Sequence, residues 1–274
     1  MITLYQNNGN SQSVIPTLFP DRTSQVWKLD LSNFNKENRT VKIVWNFSEE
    51  AELIWVNQLV DLLVHEGIYI EELYIPYLPY ARQDKAVDNN LTFAKSTFLK
   101  LLPSVNNITT LDIHSNLYHS VLSYNAFSYI QKAIIESGAD VLVFPDAGAF
   151  DRYAPYLMKD KPIITLDKIR DQTTGNILGL SLNEDLSDMV WLNEQRFMSN
   201  VPNLLIVDDI CDGGATFINA AVFLHEKLTC GVALYVTHGI FSKGFDKMID
   251  AGISEFYTTQ SLIKNTNGYK LEEI

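Results

Sequence analysis

One stretch, Asn203 to Phe217 (NLLIVDDICDGGATF), limits the folds open to this chain more than any other. Leu204 to Val207 is a continuous apolar run, too short for a helix and rich in branched side chains, which is how a parallel strand buried on both faces reads. Asp208, Asp209 and Asp212 follow, then Gly213 and Gly214, and Ala215 and Thr216 open an apolar, helix-like segment from Phe217 to Leu228. Strand, acidic turn, glycine turn and helix in that order set backbone N–H groups and a helix N-terminus at the carboxyl end of a strand, where they can hold a phosphate. The carboxylates beside them can bind sugar hydroxyls or metal-bound water. These parts together suit a phosphorylated sugar. The other reading of the same residues is an acidic loop with capping side chains and no ligand.

Composition narrows the partners. The chain has 274 residues, 46% hydrophobic and 20% charged, which is enough apolar material for two domains with an ordinary soluble balance. A net charge of −12 repels a nucleic-acid backbone and an anionic membrane surface, so neither partner is expected. An anionic substrate must then be met by local cations or by a metal. No apolar run approaches the ~18 residues of a membrane span, and the start MITLYQNNGN lacks the basic and apolar regions of a signal peptide. The expected location is the cytoplasm. Cys211 and Cys230 have no metal-type spacing and read as reduced structural thiols.

In chain order, strands are predicted at Ile2 to Tyr5, Val41 to Trp45, Leu73 to Tyr77, Ile108 to Ser115, Val141 to Asp146, Ile163 to Arg170, Val232 to Thr237 and Phe256 to Thr258. Gln6 to Ser13 reads as a loop. Ser48, with Glu49 and Glu50, reads as a helix start, a capping hydroxyl followed by acids that favour the helix dipole. Leu53, Val56, Leu59, Val60, Leu63 and Val64 then recur at helical spacing. Further helices are expected at Thr92 to Leu102, Phe127 to Ser137 and Asp246 to Ala251. Strands alternating with helices imply a doubly wound α/β fold.

Several motifs in this frame resemble one family. Asp208, Asp209, Asp212, Gly214 and Thr216 fit the phosphoribosyl-pyrophosphate loop of the type I phosphoribosyl fold; Gly213 stands where a hydroxyl residue is usual, and Ala215 where glycine is usual. Ile75 to Lys95, IPYLPYARQDKAVDNNLTFAK, resembles the ATP loop of the ribose-phosphate pyrophosphokinases, or phosphoribosyl-pyrophosphate synthetases. The resemblance continues through Asp112 and His114 (Asp-x-His), PDAGAFDR from Pro145, the Lys-x-Arg pair Lys168 and Arg170, and HGIFS from His238. Phe19-Pro20-Asp21 is a fainter echo of the family's Phe-Ser-Asn hairpin, which reaches a neighbouring subunit's adenine.

The resemblance implies an α/β chain of two tandem type I phosphoribosyltransferase-like domains, each a mainly parallel sheet flanked by helices. The first, 1–130, would carry the ATP loop, and the second, 131–274, the ribose-phosphate loop. It implies transfer of the β,γ-diphosphoryl group of ATP, with Mg2+, to the anomeric hydroxyl of ribose 5-phosphate. ATP would be bound by Arg82, Gln83, Asp88, His114, Phe19 and Asp21. His114 and Asp146 would contact the metal, and Ala149 in place of a glycine narrows the approach to diphosphate. Asp208 and Asp209 would orient the ribose hydroxyls, and Asp212, Gly213, Gly214, Ala215 and Thr216 would hold the 5-phosphate. Lys168 and Arg170 would be catalytic, opening a lid at Asp171 to Asn176. A homo-oligomer, at least a dimer, is expected. Two rivals stand beside this reading: a regulatory relative that binds without catalysis, and a phosphoribosyltransferase, which would have no use for ARQDK. The acceptor also stays open. Gly213 removes a donor and is expected to leave open space, so ADP-ribose is an alternative to ribose 5-phosphate.

Overall fold

Alternating burial builds the first sheet. In the computed structural model of the chain, which describes every residue except 7–8, 28, 31–38, 84–91, 116–119, 158–160, 171–176, 196–200, 263–270 and 274, two compact units form. Met1–Asn125 makes up the bulk of one and Ala126–Gln260 the bulk of the other.

In the first unit, β1 (Ile2–Gln6) pairs antiparallel with β2 (Ser11–Val14), while β3 (Thr17–Leu18) and β4 (Ser24–Gln25) form a separate hairpin. Next come β5 (Thr40–Trp45), α1 (Glu52–His65), β6 (Tyr69–Ile75), α2 (Ala94–Leu101), β7 (Ile108–Leu111) and β8 (Leu122–Tyr124). The sheet order is β2-β1-β5-β6-β7-β8, parallel from β5 onward. Val41, Ile43 and Trp45 of β5 alternate inward and meet Leu59 and Leu63 of α1 in one apolar cluster. The helix start lies later than Ser48. The buried Glu52 carboxylate accepts from Ser48 N at 2.8 Å and from the Trp45 indole at 2.9 Å, so Ser48 serves that carboxylate and α1 begins at Glu52 without a side-chain cap.

The second unit runs α3 (Phe127–Glu136), β9 (Val141–Phe144), α4 (Ala147–Tyr153), β10 (Ile163–Arg170), β11 (Ile177–Leu182), α5 (Met189–Gln195), β12 (Asn203–Cys211), α6 (Ala215–Lys227), β13 (Gly231–Gly239), α7 (Asp246–Asp250), β14 (Ile253–Thr258) and β15 (Leu271–Glu273). Its order is β11-β10-β9-β12-β13-β14-β15, antiparallel only between β10 and β11. Leu204 and Ile206 of β12 enter one apolar cluster, and Leu205 and Val207 enter the other. Burial on both faces is why this run is apolar at every position. β9 lies between β10 and β12, so the chain leaves β9 to one side and returns on the other. That reversal makes a crevice at the carboxyl ends of the strands, the usual ligand position in an open α/β sheet.

Several boundaries differ from the sequence expectation. Ser11–Val14 is a strand that overlaps the end of the expected loop, held by its register with β1. β7 stops at Leu111, before Asp112, whose φ of 43° cannot continue an extended strand. β12 continues to Cys211 because β13 pairs with it as far as Cys211↔Gly239, which puts Asp208 and Asp209 inside the strand. No helix among the described residues is long and apolar enough to cross a membrane.

Candidate functional site

At the crevice of the second sheet, the ends of β9, β10 and β12 gather acids and cations. Asp146, just past β9, caps α4: its Oδ1 accepts from Ala149 N at 3.0 Å. Its Oδ2 accepts from Lys168 Nζ, on β10, at 2.8 Å. Burial pushes the Asp146 carboxyl up, but the bonds from Lys168 and the Ala149 N–H outweigh it, and the group titrates below the ordinary carboxylate range. Ala149 is buried and its N–H is committed to Asp146.

Asp208 and Asp209, consecutive on β12, have different surroundings. Asp209 is buried and paired with Arg152 of α4, Oδ2 to Nη1 3.6 Å. Asp208 is half-buried, and its Oδ1 accepts from the Asp209 N–H at 2.9 Å. Burial, then the neighbouring Asp209 charge, holds the Asp208 carboxyl well above its ordinary range. A carboxyl in that condition can donate a hydrogen bond to a hydroxyl as well as accept one.

The turn that follows is fixed by two contacts. Asp212 Oδ1 accepts from Ser242 Oγ at 2.6 Å, and Asp212 O accepts from Ser242 N at 3.1 Å. Gly214 caps α6 with φ +78°, and a Cβ there would come within 2.9 Å of Met248 Sδ, so the position requires glycine for both conformation and space. Among the described residues, no group accepts from the N–H of Gly213, Gly214, Ala215 or Thr216. Four unpaired donors in succession at a helix N-terminus form a cradle for an anion.

The open space expected at Gly213 is not there. A Cβ at Gly213 would lie 3.3 Å from both Cδ and Cε of Lys243, because the parallel pairing of β12 with β13 brings the loops after both strands side by side. Arg152 and Lys243 were not among the sequence candidates. Arg152 lies in the PDAGAFDR motif and was open to reading as a cation on α4; Lys243 gives no local signal.

In the first unit, Arg82 is exposed and Gln83 half-buried, beside Tyr80, which takes φ +62°. Gln83 Oε1 accepts from the N–H of Lys95 at the start of α2, at 3.2 Å. The buried Lys95 ammonium donates to Ser115 Oγ at 2.7 Å, tying the ATP-like loop to the segment of Asp112 and His114. His114 is half-buried. Phe19 and Asp21 form the tip of the β3–β4 hairpin: Phe19 N donates to Thr23 O and Arg22 N to Phe19 O, each at 2.9 Å. Asp21 accepts from Thr23 N and Oγ, which lowers its pKa. Asp88 and the proposed lid 171–176 lie outside the described residues. Arg170 ends β10, and its side chain lies outside the description.

Comparison with known proteins shows similarity along most of the chain. No family model matches the chain. A ribose-phosphate pyrophosphokinase of Pyrococcus abyssi is 25% identical over 273 residues, covering 93% of this chain and 86% of that protein. One of Mycoplasmopsis pulmonis is 29% identical over 216 residues, covering 74% of this chain and 63% of that protein. The crystal structure of phosphoribosylpyrophosphate synthetase from Mycobacterium smegmatis superposes with a TM-score of 0.70 at 20% identity, covering 96% of this chain and 85% of that one. That similarity establishes the fold: two mostly parallel sheets, each flanked by helices, each unit having the fold of a phosphoribosyltransferase-like domain.

Proposed function

We propose that the chain is a divergent member of the ribose-phosphate pyrophosphokinase family and that it moves the β,γ-diphosphoryl group of ATP onto the anomeric hydroxyl of ribose 5-phosphate, releasing AMP. The observation that carries the reading is the cradle of unpaired N–H groups at 213–216 directly after the acid pair on β12. One strand end then offers a diol clamp and a phosphate seat.

The anomeric oxygen attacks the β-phosphorus in line, the bond from that phosphorus to the α,β-bridging oxygen breaks, and AMP leaves while the hydroxyl loses its proton. Such transfer depends on positioning and charge neutralisation more than on covalent help. Asp208 and Asp209 orient the 2- and 3-hydroxyls, and the turn from Asp212 to Thr216 holds the 5-phosphate. Lys168 and Arg170 stabilise the charge moving between bridging oxygens. Arg82, Gln83, Asp88 and His114 bind the nucleotide. Mg2+ would be taken through one or two carboxylates plus substrate phosphates, and Asp146, whose oxygens keep lone pairs beyond the two hydrogen bonds they accept, fits such a donor set; His114, in the other unit, is a separate candidate for a metal contact. When bound with ATP, the metal would supply neutralisation of phosphate charge. The protein acts in the cytoplasm as a homo-oligomer, at least a dimer, with Phe19 and Asp21 serving a neighbour's nucleotide; active monomer in sedimentation at micromolar concentration contradicts that part.

The test is AMP formation from Mg-ATP with ribose 5-phosphate, set against pyrophosphate release from phosphoribosyl pyrophosphate with a base. Release of pyrophosphate alone means a phosphoribosyltransferase, and binding without turnover means a regulatory relative. A second acceptor answers to the same cation. Lys243 at Gly213 is a point charge on a flexible stem, which can pair with either phosphate of a 5-diphosphate as well as with a terminal one. ADP-ribose, with a free distal anomeric hydroxyl, fits that description and would tie the enzyme to NAD synthesis or salvage. A kcat/KM for ribose 5-phosphate tenfold or more above that for ADP-ribose, about 1.4 kcal/mol, excludes the second reading.

A further inference from the structure

Lys243 is held in place by the loop that carries it. Ile240 N and Phe241 N donate to Cys211 O at 2.8 and 3.1 Å, and Ser242 is tied to Asp212 through both its N–H and its hydroxyl. Phe241 packs its ring against Phe245, centroids 4.6 Å apart, and Gly244 N closes the turn on Phe241 O at 3.0 Å. The backbone of residue 243 is therefore fixed against the end of β12. Its side chain runs across Gly213, with Cδ and Cε 3.3 Å from where a Cβ would stand. Its ammonium, one bond further on, has no ion-pair or hydrogen-bond partner among the described residues. Two other cations described at the crevice are engaged, Lys168 with Asp146 and Arg152 with Asp209.

We infer that Lys243 binds the phosphoryl group on the 5-oxygen of the acceptor ribose, completing the N–H cradle of 213–216. A phosphate seated there lies beside Asp208, Asp209 and Asp212 in a chain of net charge −12, and it requires a nearby positive charge that the cradle's neutral donors do not supply. Lys243 supplies it. Gly213 is the other half of the same device, because a side chain at 213 would press on the lysine stem, 3.3 Å from its Cβ. The inference rests on the proposed reading of the turn as an acceptor site, but not on the reaction.

The test compares wild type with Lys243→Met, which keeps the stem and removes the charge, and Lys243→Arg, which keeps the charge. Binding of ribose 5-phosphate and, separately, ADP-ribose to the full-length protein is measured calorimetrically without ATP. Steady-state AMP release gives the kinetic constants. Whichever acceptor wild type binds should lose at least tenfold in affinity in Lys243→Met and less than threefold in Lys243→Arg. The loss should appear in KM for the acceptor more than in kcat, with KM for Mg-ATP unmoved. Acceptor affinity within twofold of wild type in Lys243→Met overturns the inference, as does wild-type protein that binds neither acceptor. If no AMP forms but calorimetric binding depends on Lys243 as stated, the reaction is wrong and the phosphate contact stands.

Discussion

Replacing Lys168 by alanine tests its proposed catalytic role apart from its part in folding. Lys168 Nζ lies 2.8 Å from Asp146 Oδ2, with side-chain exposures of 20% and 39%. A pair this open to water contributes about 1 kcal/mol or less to folding. Asp146 keeps its bond from Ala149 N after the substitution, so its carboxylate is not stranded. The linkage has a definite sign. Asp146 titrates below its ordinary range, so it contributes stability above the unfolded carboxylate pKa that is lost as pH falls through the folded value. Without Lys168 that contribution shrinks, and the acid limb of the melting profile flattens. Removing a preorganised contact to transition-state charge costs about 2.7–4 kcal/mol, on the order of 10²–10³ in kcat. The kinetic effect is thus several times the folding effect. Thermal melting from pH 3 to 8 and AMP release at pH 7.5 measure the two on the same preparations. A folded Lys168→Ala enzyme that retains turnover within tenfold of wild type refutes the assignment of Lys168 to the transferring group; one that melts many degrees lower shows the residue to be structural instead.

Gly214→Ala forces a side chain into a left-handed position and onto Met248, and should cost roughly 1–3 kcal/mol of stability, read as a lowered melting temperature together with weaker acceptor binding. Asp208→Asn tests the raised carboxyl: in wild type the folded state holds its proton longer than the unfolded chain, so stability falls as pH rises above the ordinary aspartate pKa. In EDTA the asparagine variant should lack that decline and be the more stable protein at neutral pH, while binding acceptor poorly; parallel melting profiles count against the raised pKa. Arg152→Leu removes an ion-pair partner of the buried Asp209 and should destabilise by on the order of 2–3 kcal/mol, short of a fully buried pair because Arg152 meets water. Adding Asp209→Asn should recover part of that loss, and additive losses in the double variant mean that the two do not interact.

Legibility in the sequence followed burial. Leu204 to Val207 could be read because each side chain is apolar for its own reason, alternate residues feeding different clusters on the two faces of the sheet. The end of β12 could not, because Asp208 and Asp209 read locally as a turn while the neighbouring β13 holds them in the ladder. β8, with Leu122, Ser123 and Tyr124 all exposed, has no alternation to detect, and the two-residue strands of the Phe19 hairpin are too short for a period. In the site, the acids and glycines were legible as residue types suited to a phosphorylated sugar; their partners were not. Arg152 reaches Asp209 by helix placement, and Ser242 and Lys243 reach Asp212 and Gly213 by strand register. A glycine in a turn has the same local signature whether the vacated space admits a ligand or a neighbour. At Gly213 it admits a neighbour carrying a charge. The missing hydroxyl and the lysine far along the chain are therefore one feature, a neutral donor of fixed direction exchanged for a cation on a flexible stem. Such an exchange loosens the angular demand on the bound phosphate while raising the demand for its negative charge. It follows that acceptor affinity in this chain should weaken with added salt more than it would in a Gly213→Thr, Lys243→Gly double variant, since a charge contact is screened by ions and a neutral hydrogen bond is not; equal salt dependence in the two proteins would mean that the exchange has no bearing on binding.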